Sequence, residues 1–277
     1  MRLYVRHATT YAYDTPMRFV VQSHRLTPSG HAGQKVIDWK VTAEGAAFGA
    51  SFTDGAGDQV STMTVHGPVS RVEILVEGSV ETTDTSGVLR GFREVISPRA
   101  YLRSTSATKA NGALTALKDE ALRAAGDADE LARAHRLAAA VSGAIAYRPG
   151  TTTAHTTAAE ALEKGEGVCQ DHAHALIALA HAADLPARYV TGYLLAGDDG
   201  GAGEASHAWA EVNVAGLGWV GFDPSNECCP DERYIRLGSG LDALAAAPIR
   251  GMSRGGGGEV MDVTVVVATS SQSQTQQ

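Results

Sequence analysis

The feature that most constrains this chain is the stretch Gly165-Glu166-Gly167-Val168-Cys169-Gln170-Asp171-His172-Ala173-His174. From Val168 to Ala183 the chain has no Pro and no Gly and is rich in Ala and Leu, which predicts one long helix. A Gly-flanked loop therefore delivers Cys169 to the first turn of that helix. Free backbone N–H groups and the positive end of the helix dipole favour a thiolate there, and the thiolate is the nucleophilic form. The base and the orienting acid that such a nucleophile needs are offered downstream, in Ser206-His207-Ala208-Trp209 and Gly221-Phe222-Asp223-Pro224.

The pattern before this stretch is different. Leu3, Val5, Thr9, Tyr11 and Tyr13 fall on one parity, Ile37, Trp39 and Val41 alternate with polar neighbours, and Val72, Ile74, Val76 and Val80 do the same. Asp54-Gly55-Ala56-Gly57 and His66-Gly67-Pro68 punctuate the runs as turns. Short alternating strands with regular turns predict an all-β sandwich over 1–100. His7, His24, His31 and His66 are scattered through it and are read as surface or internally satisfied histidines. Ser97-Pro98 to about Ala110 reads as a crossover, and Gly112 to Tyr147 as helical, with Asp127 and Asp129 opening its second helix and Arg148-Pro149-Gly150 ending it. Thr157-Ala158-Ala159-Glu160 has the capping-box pattern of a short helix.

Beyond the Cys helix, Leu185-Pro186 is a break. Strands are expected at Ala187 to Leu195, Ser206 to Val214 and Gly218 to Phe222, the last two forming a hairpin. Asp198 to Gly203 reads as a short, polar, Gly-rich loop beside the site. Arg254 to Gly258 is a Gly-rich linker, Met261 to Ala268 a β-branched strand docking back on the body, and Ser270 to Gln277 a polar, disordered tail. The expected organisation is thus 1–100, a core over 101–250, and a C-terminal linker, strand and tail over 251–277.

Cys169, His207 and Asp223 occupy a helix start and two adjacent strands, the logic of a nucleophile–base–acid set for acyl transfer. A cysteine on an Ala-rich helix is more commonly a small buried hydrophobe, and it is the Gly-flanked helix start that argues otherwise. The set carries a geometric demand. If the hairpin loop had an even number of residues, His207 and Asp223 would point to opposite faces. An odd-length loop, such as 214 to 218, or a bulge is therefore expected, with Trp209 opposite Asp223 and His207 diagonal to it.

Further residues belong to the same neighbourhood. His172, three positions after Cys169, shares its helix face and is a candidate substrate contact, as are Trp209 and Trp219, read as apolar walls of the site. His174 is read as structural, and Asp171 as a stabiliser of the helix start. Cys169, Asp171, His172, His174 and His181 are dense in potential ligands. However, no Cys-x-x-Cys or His-Glu-x-x-His pattern accompanies them, so neither a metal nor another cofactor is expected. Cys228 and Cys229 are adjacent, where a bridge would be strained, and are read as free thiols.

Five ordered motifs carry a resemblance. They are Gly167-Val168-Cys169-Gln170-Asp171 with His174; Leu185-Pro186-Ala187-Arg188-Tyr189-Val190 with Gly192-Tyr193; and Ser206-His207-Ala208-Trp209-Ala210-Glu211-Val212. Gly218-Trp219-Val220-Gly221-Phe222 and Asp223-Pro224-Ser225-Asn226 complete the set. Together they resemble the bacterial transglutaminase-like superfamily over about 145–230. Tyr11-Ala12-Tyr13 and Arg25-Leu26-Thr27-Pro28 look like the β-sandwich region that precedes this core in many bacterial members. The resemblance implies a papain-like α+β core, with Cys169 as nucleophile, His207 as base and Asp223 as orienting acid. It also implies acyl transfer from amide or peptide bonds, usually without a metal. Ser225 stands where the family often has Thr, and Cys228-Cys229 is not a family feature.

Composition bounds the partners. The net charge of −8 argues against a nucleic-acid or anionic-membrane surface, and no apolar run approaches the ~20 residues of a membrane span. Met1 to Tyr13 alternates and does not read as a signal peptide. An odd count of three cysteines fits a reducing compartment, so a cytoplasmic location is expected. The expected partner is a peptide or protein substrate. The functions that fit are a cysteine peptidase or amidase, a transglutaminase that ends the acyl-enzyme with an amine, and a non-catalytic scaffold. Hydrolysis is preferred, by family-level analogy and because no EF-hand-type calcium loop is present.

Overall fold

The computed structural model describes residues 1–123, 129–195 and 206–269. The N-terminal region contains β1 (Arg2–Thr27), β2 (Gln34–Ala43), β3 (Ala46–Thr53) and β4 (Gln59–Thr82). A 3-10 turn at Pro98–Leu102 leads to α1 (Gly112–Arg123) and α2 (Glu130–Ala144). Then come β5 (Ala146–Tyr147), α3 (Ala158–Lys164), β6 (Glu166–Gly167) and α4 (Cys169–Ala182). The core continues with β7 (Ala187–Leu194), β8 (Ser206–Val214), β9 (Gly218–Phe222) and β10 (Tyr234–Gly240), and the described chain ends with β11 (Ile249–Arg254) and β12 (Glu259–Thr269). The fold is α+β and largely strands.

The first sheet is built differently from a set of short strands. β1 and β4 span 26 and 24 residues and pair antiparallel along most of their length, with register shifts between Ala12 and Met17 and between Met17 and Phe19. On one side of these shifts the order is β12-β1-β4-β2, and on the other β11-β1-β4-β3. Irregularities of this kind bend a strand without ending it. Tyr11, Tyr13, Met17, Val20, Met63, Val65, Val72 and Ile74, drawn from both halves, then share one buried cluster. At the bend a Cβ on Gly67 would sit 1.9 Å from the Met17 carbonyl oxygen, so the approach of the two strands requires glycine there.

The C-terminal segment belongs to this sheet. β11 pairs with residues 19–24 of β1 and β12 with residues 3–13, so the two form one interrupted edge strand. The Gly-rich run read as a linker is the interruption. It lies beside the β1 bend, where Asp14 N–H donates to the Gly258 carbonyl and Gly258 N–H to Asp14 Oδ2.

The second sheet has the order β10-β7-β8-β9 and packs on α4. Successive residues of a strand point to opposite faces. Ala208, Ala210 and Val212 of β8 join Ala173, Leu176, Ile177 and Ala180 of α4 in the main core. His207, Trp209 and Glu211 take the other face. α4 starts one residue later than the apolar run suggested and ends at Ala182. α2 stops at Ala144, earlier than Arg148, because β5 pairs in parallel with β6 just before Cys169. Asp129 caps α2 through the Ala132 N–H, and Thr157 and Glu160 form the expected capping box. Asp127, the loop Asp198 to Gly203 and the tail Ser270 to Gln277 lie outside the described residues.

Four buried charges and the partly exposed Glu94 join the second sheet to loops of the N-terminal region. Arg188 pairs with Glu211 and Glu94 (both 2.6 Å), and Arg236 with Glu211 (2.9 Å) and Asp58 (2.7 Å). Leu3, Val5 and Val80 of the first sheet pack with Tyr193, Ile235 and Leu237 of the second. His7 is buried between Tyr193 and Thr9, His24 is buried beside Gln22, His31 accepts from the Gly33 N–H, and His66 is exposed.

Candidate active site

The start of α4 is set by Asp171 in its first turn. The Asp171 carboxylate accepts from the Val168 N–H (2.8 Å) and the Thr152 hydroxyl (2.6 Å), stapling the loop to the helix. A Cβ on Gly167 would lie 2.7 Å from the Asp171 Cβ, so the residue before the N-cap has to be glycine. This arrangement holds Cys169 half-buried at the first helical position, with its thiol free.

The hairpin meets its geometric demand. Ala210 pairs with Phe222 and Val214 with Gly218, so residues 215–217 form an odd-length connection. Extending that register one step places Trp209 opposite Asp223 and brings His207 to it diagonally. His207 Nε2 lies 2.6 Å from Asp223 Oδ2, and the Cys169 side chain also acts on this imidazole. Both partners are buried, His207 at 7% exposure and Asp223 at 1%. Burial opposes the charge on His207, but hydrogen bonds to Asp223 and Cys169 outweigh it and raise the imidazole to about 9. Burial likewise opposes ionisation of Asp223, yet donors from His207, Asn226 and Ser225 hold its carboxyl at about 2. Cys169, His207 and Asp223 thus form one interacting set, charged at its imidazole–carboxylate end near neutral pH.

Residues 116–224 match the family model described as the transglutaminase-like superfamily, and residues 3–81 the one described as the bacterial transglutaminase-like N-terminal region. An uncharacterized protein of Mycobacterium leprae (strain TN) is 30% identical over 284 residues, covering 96% of this chain and 98% of its own. The chain belongs to the transglutaminase-like superfamily. An uncharacterized protein of Mycobacterium tuberculosis (strain ATCC 25618 / H37Rv) is 31% identical over 274 residues, covering 91% of this chain and 87% of its own. Among solved structures, a candidate cysteine protease from Cytophaga hutchinsonii shares the fold. Its TM-score is 0.73 at 19% identity, covering 98% of this chain and 91% of that one.

Within this transglutaminase-like core, the other residues singled out from the sequence separate into two groups. Trp209 lies at the site, buried, with its ring stacked 6.4 Å from that of His207. Trp219 does not. It is four residues from Asp223, roughly 13 Å along a strand, and sits in the junction between the sheets. There its indole N–H donates to Glu94 and its ring lies 4.0 Å under the Arg188 guanidinium. His172 is also directed elsewhere. Its ring is 1% exposed, with Nδ1 at the Val168 carbonyl and Nε2 at the Ile145 carbonyl (both 2.9 Å), so it fastens the helix start to the end of α2. His174 is structural as expected: it accepts from the Ala243 N–H, and burial lowers it to about 4.

Two residues at the site were not anticipated. Asn226 donates from Nδ2 to Asp223 Oδ2 (2.7 Å), and the Tyr234 hydroxyl donates to the same oxygen (2.8 Å). Asn226 stands inside a quoted motif and could have been found from it. Tyr234 opens a strand that carried no motif. A cavity of about 550 Å³ borders Asp223 on its other side, walled by α2 at His135, Ala138 and Ser142 and by Glu227, Cys228 and Cys229. Burial pushes the Cys229 thiol to about 11 and also raises Cys228. Among the described residues, no group of three or more His, Cys, Asp or Glu side chains could hold a metal ion, and no helix is long and apolar enough to cross a membrane.

Proposed function

We propose that the chain is a cysteine-dependent hydrolase of peptide or amide bonds that works through a thioester acyl-enzyme. The observation that carries this reading is the buried His207–Asp223 hydrogen bond, its imidazole acted on by Cys169 at a helix N-terminus. Cys169 Sγ attacks the substrate carbonyl carbon, and the resulting oxyanion is met by N–H groups at the start of α4, the Cys169 N–H first among them. The carbon–nitrogen bond breaks as His207 gives its proton to the leaving amine. Water then adds to the thioester, His207 takes its proton, and the carboxylic acid leaves with the thiolate regenerated. Asp223 fixes the imidazole and stabilises its cationic form. Trp209 supplies an apolar wall beside the imidazole, where charges interact more strongly than in water. The substrate is a peptide or protein, and the three free thiols fit a cytoplasmic setting.

The second reading is acyl transfer to an amine, which uses the same three residues. It needs an enclosed channel that docks the amine and excludes water. The cavity beside Asp223 does not supply one at the thiol, because its lining does not include Cys169. A scaffold role would leave the aligned thiol, imidazole and carboxylate without purpose. The experiment screens a peptide library by mass spectrometry, then offers the best substrate together with millimolar cadaverine. Free acid as the main product supports hydrolysis. Cadaverine adducts in excess replace it with the transferase reading, and no product from wild type alongside an unreactive Cys169 removes both.

A further inference from the structure

Asp223 Oδ2 receives three donors from three separate segments: His207 Nε2 at 2.6 Å, Asn226 Nδ2 at 2.7 Å and the Tyr234 hydroxyl at 2.8 Å. The third is the least expected. Tyr234 opens β10, which is the outer strand of the second sheet on the side opposite β9. Its side chain therefore lies over β7 and the His207–Trp209 face of β8 to reach the carboxylate. It does so edge-on, with its ring 5.9 Å from His207 and 5.5 Å from Trp209. The proton positions follow from chemistry. An ionised carboxylate only accepts, so the single phenolic proton points at Oδ2. Cys228 Sγ, 3.3 Å from the phenolic oxygen, is then the donor to it.

We propose that Tyr234 is a positioning residue for the Cys169–His207 reaction: its hydroxyl, backed by the Cys228 thiol, shares the negative charge on Asp223 Oδ2. That sharing tempers how strongly the carboxylate retains the proton of His207. The assignment rests on the hydrolase reading for its consequence in turnover, and on geometry alone for the coupling itself. A carboxylate with only two donors on Oδ2 is more basic. It holds the imidazolium more tightly, so His207 returns its proton to the leaving amine less readily when the carbon–nitrogen bond breaks. The ring of Tyr234 would still pack against Trp209 without its oxygen, so packing and charge sharing can be separated.

The test is Tyr234→Phe, which keeps the ring and removes one donor. The His207 ring is titrated by NMR in protein labelled with 15N-histidine, its signal assigned by loss in His207→Ala. The midpoint is expected to move upward by about half a pH unit, and kcat to fall about threefold to tenfold with KM held within about twofold. Cys228→Ala should move the titration in the same direction by less, and Cys228→Ser, which keeps a donor, should restore it. An unchanged midpoint in a Tyr234→Phe protein that melts like wild type overturns the proposal, as does a fall in activity confined to KM. Absence of turnover in wild type would count against the hydrolase reading alone, because the NMR titration needs no substrate.

Discussion

Three thiols in three surroundings should separate cleanly by reactivity. Cys169 sits at a helix start against His207, whereas burial pushes Cys229 to about 11 and raises Cys228. At neutral pH iodoacetamide should label Cys169 first, as read by peptide mapping, and His207→Ala should slow that labelling about tenfold or more. Earlier labelling of Cys228 or Cys229, with activity surviving when Cys169 is blocked, would remove the nucleophile assignment. The ionisation of the imidazole and carboxylate sets a pH window. His207 is raised above its ordinary value of 6.5 to about 9, so its contribution to stability is complete below about 6.5 and is lost as pH rises through about 9. Asp223 is depressed from 3.8 to about 2, so its contribution is present above about 3.8 and is lost as pH falls through about 2. The same imidazolium protonates the leaving amine, so kcat/KM should decline above about pH 9. A profile still rising there would contradict the role given to His207.

At the scale of elements, the site depends on how one helix begins. Asp171 draws the Val168 N–H and the Thr152 hydroxyl onto one carboxylate, and Gly167 leaves the space for it. Gly167→Ala forces a Cβ to within 2.7 Å of the Asp171 side chain. Overpacking of this kind costs about 1–3 kcal/mol, to be measured by urea denaturation. Because the displaced residue frames the Cys169 turn, labelling of Cys169 should slow in the same variant. A fully stable variant with wild-type labelling would mean that the Asp171 clamp does not position the thiol. The hairpin contributes the other half of the geometry through the odd connection at 215–217, which keeps His207 and Asp223 on one face.

For the whole molecule, a charged cluster ties the second sheet to the N-terminal region. Glu211 lies on the same face of β8 as His207 and accepts from both Arg188 and Arg236, while Asp58 and Glu94 come from the N-terminal region. Burial disfavours the Glu211 charge, but the two guanidinium groups reverse that and hold the carboxyl at about 2. Removing one member of a buried set leaves its partners uncompensated. Glu211→Ala should therefore destabilise the chain by about 3–5 kcal/mol in chemical denaturation. Fluorescence of the tryptophans on the two sides, Trp39 in β2 and Trp219 in β9, should then lose its shared unfolding transition. A loss below about 1 kcal/mol would show that the apolar contacts of Leu3, Val5 and Ile235 join the sheets without it.

Local order was legible in the residues themselves. Apolar alternation placed β8 and β9, Tyr, Val and Thr content placed β7, and β-branched content placed β12; the Gly- and Pro-free run placed α4, and Thr157 with Glu160 announced α3, because each depends on neighbours a few residues away. The pairing of His207 with Asp223 was legible too, since the parity of a hairpin is arithmetic. What tertiary structure alone decided is everything that depends on which distant segment arrives. Alternation cannot tell a short strand from a bent one, so β1 and β4 running through both halves of the first sheet, and β11 and β12 completing its edge, were not visible. A face shared with Asp223 does not say how far along it a side chain lies, so Trp219 went to the junction with Arg188. Helix spacing does not say which carbonyls wait for an imidazole, so His172 turned to Val168 and Ile145. Tyr234 reaches Asp223 only because its side chain spans from β10 over β7 and β8 to the end of β9, a closure no local pattern encodes.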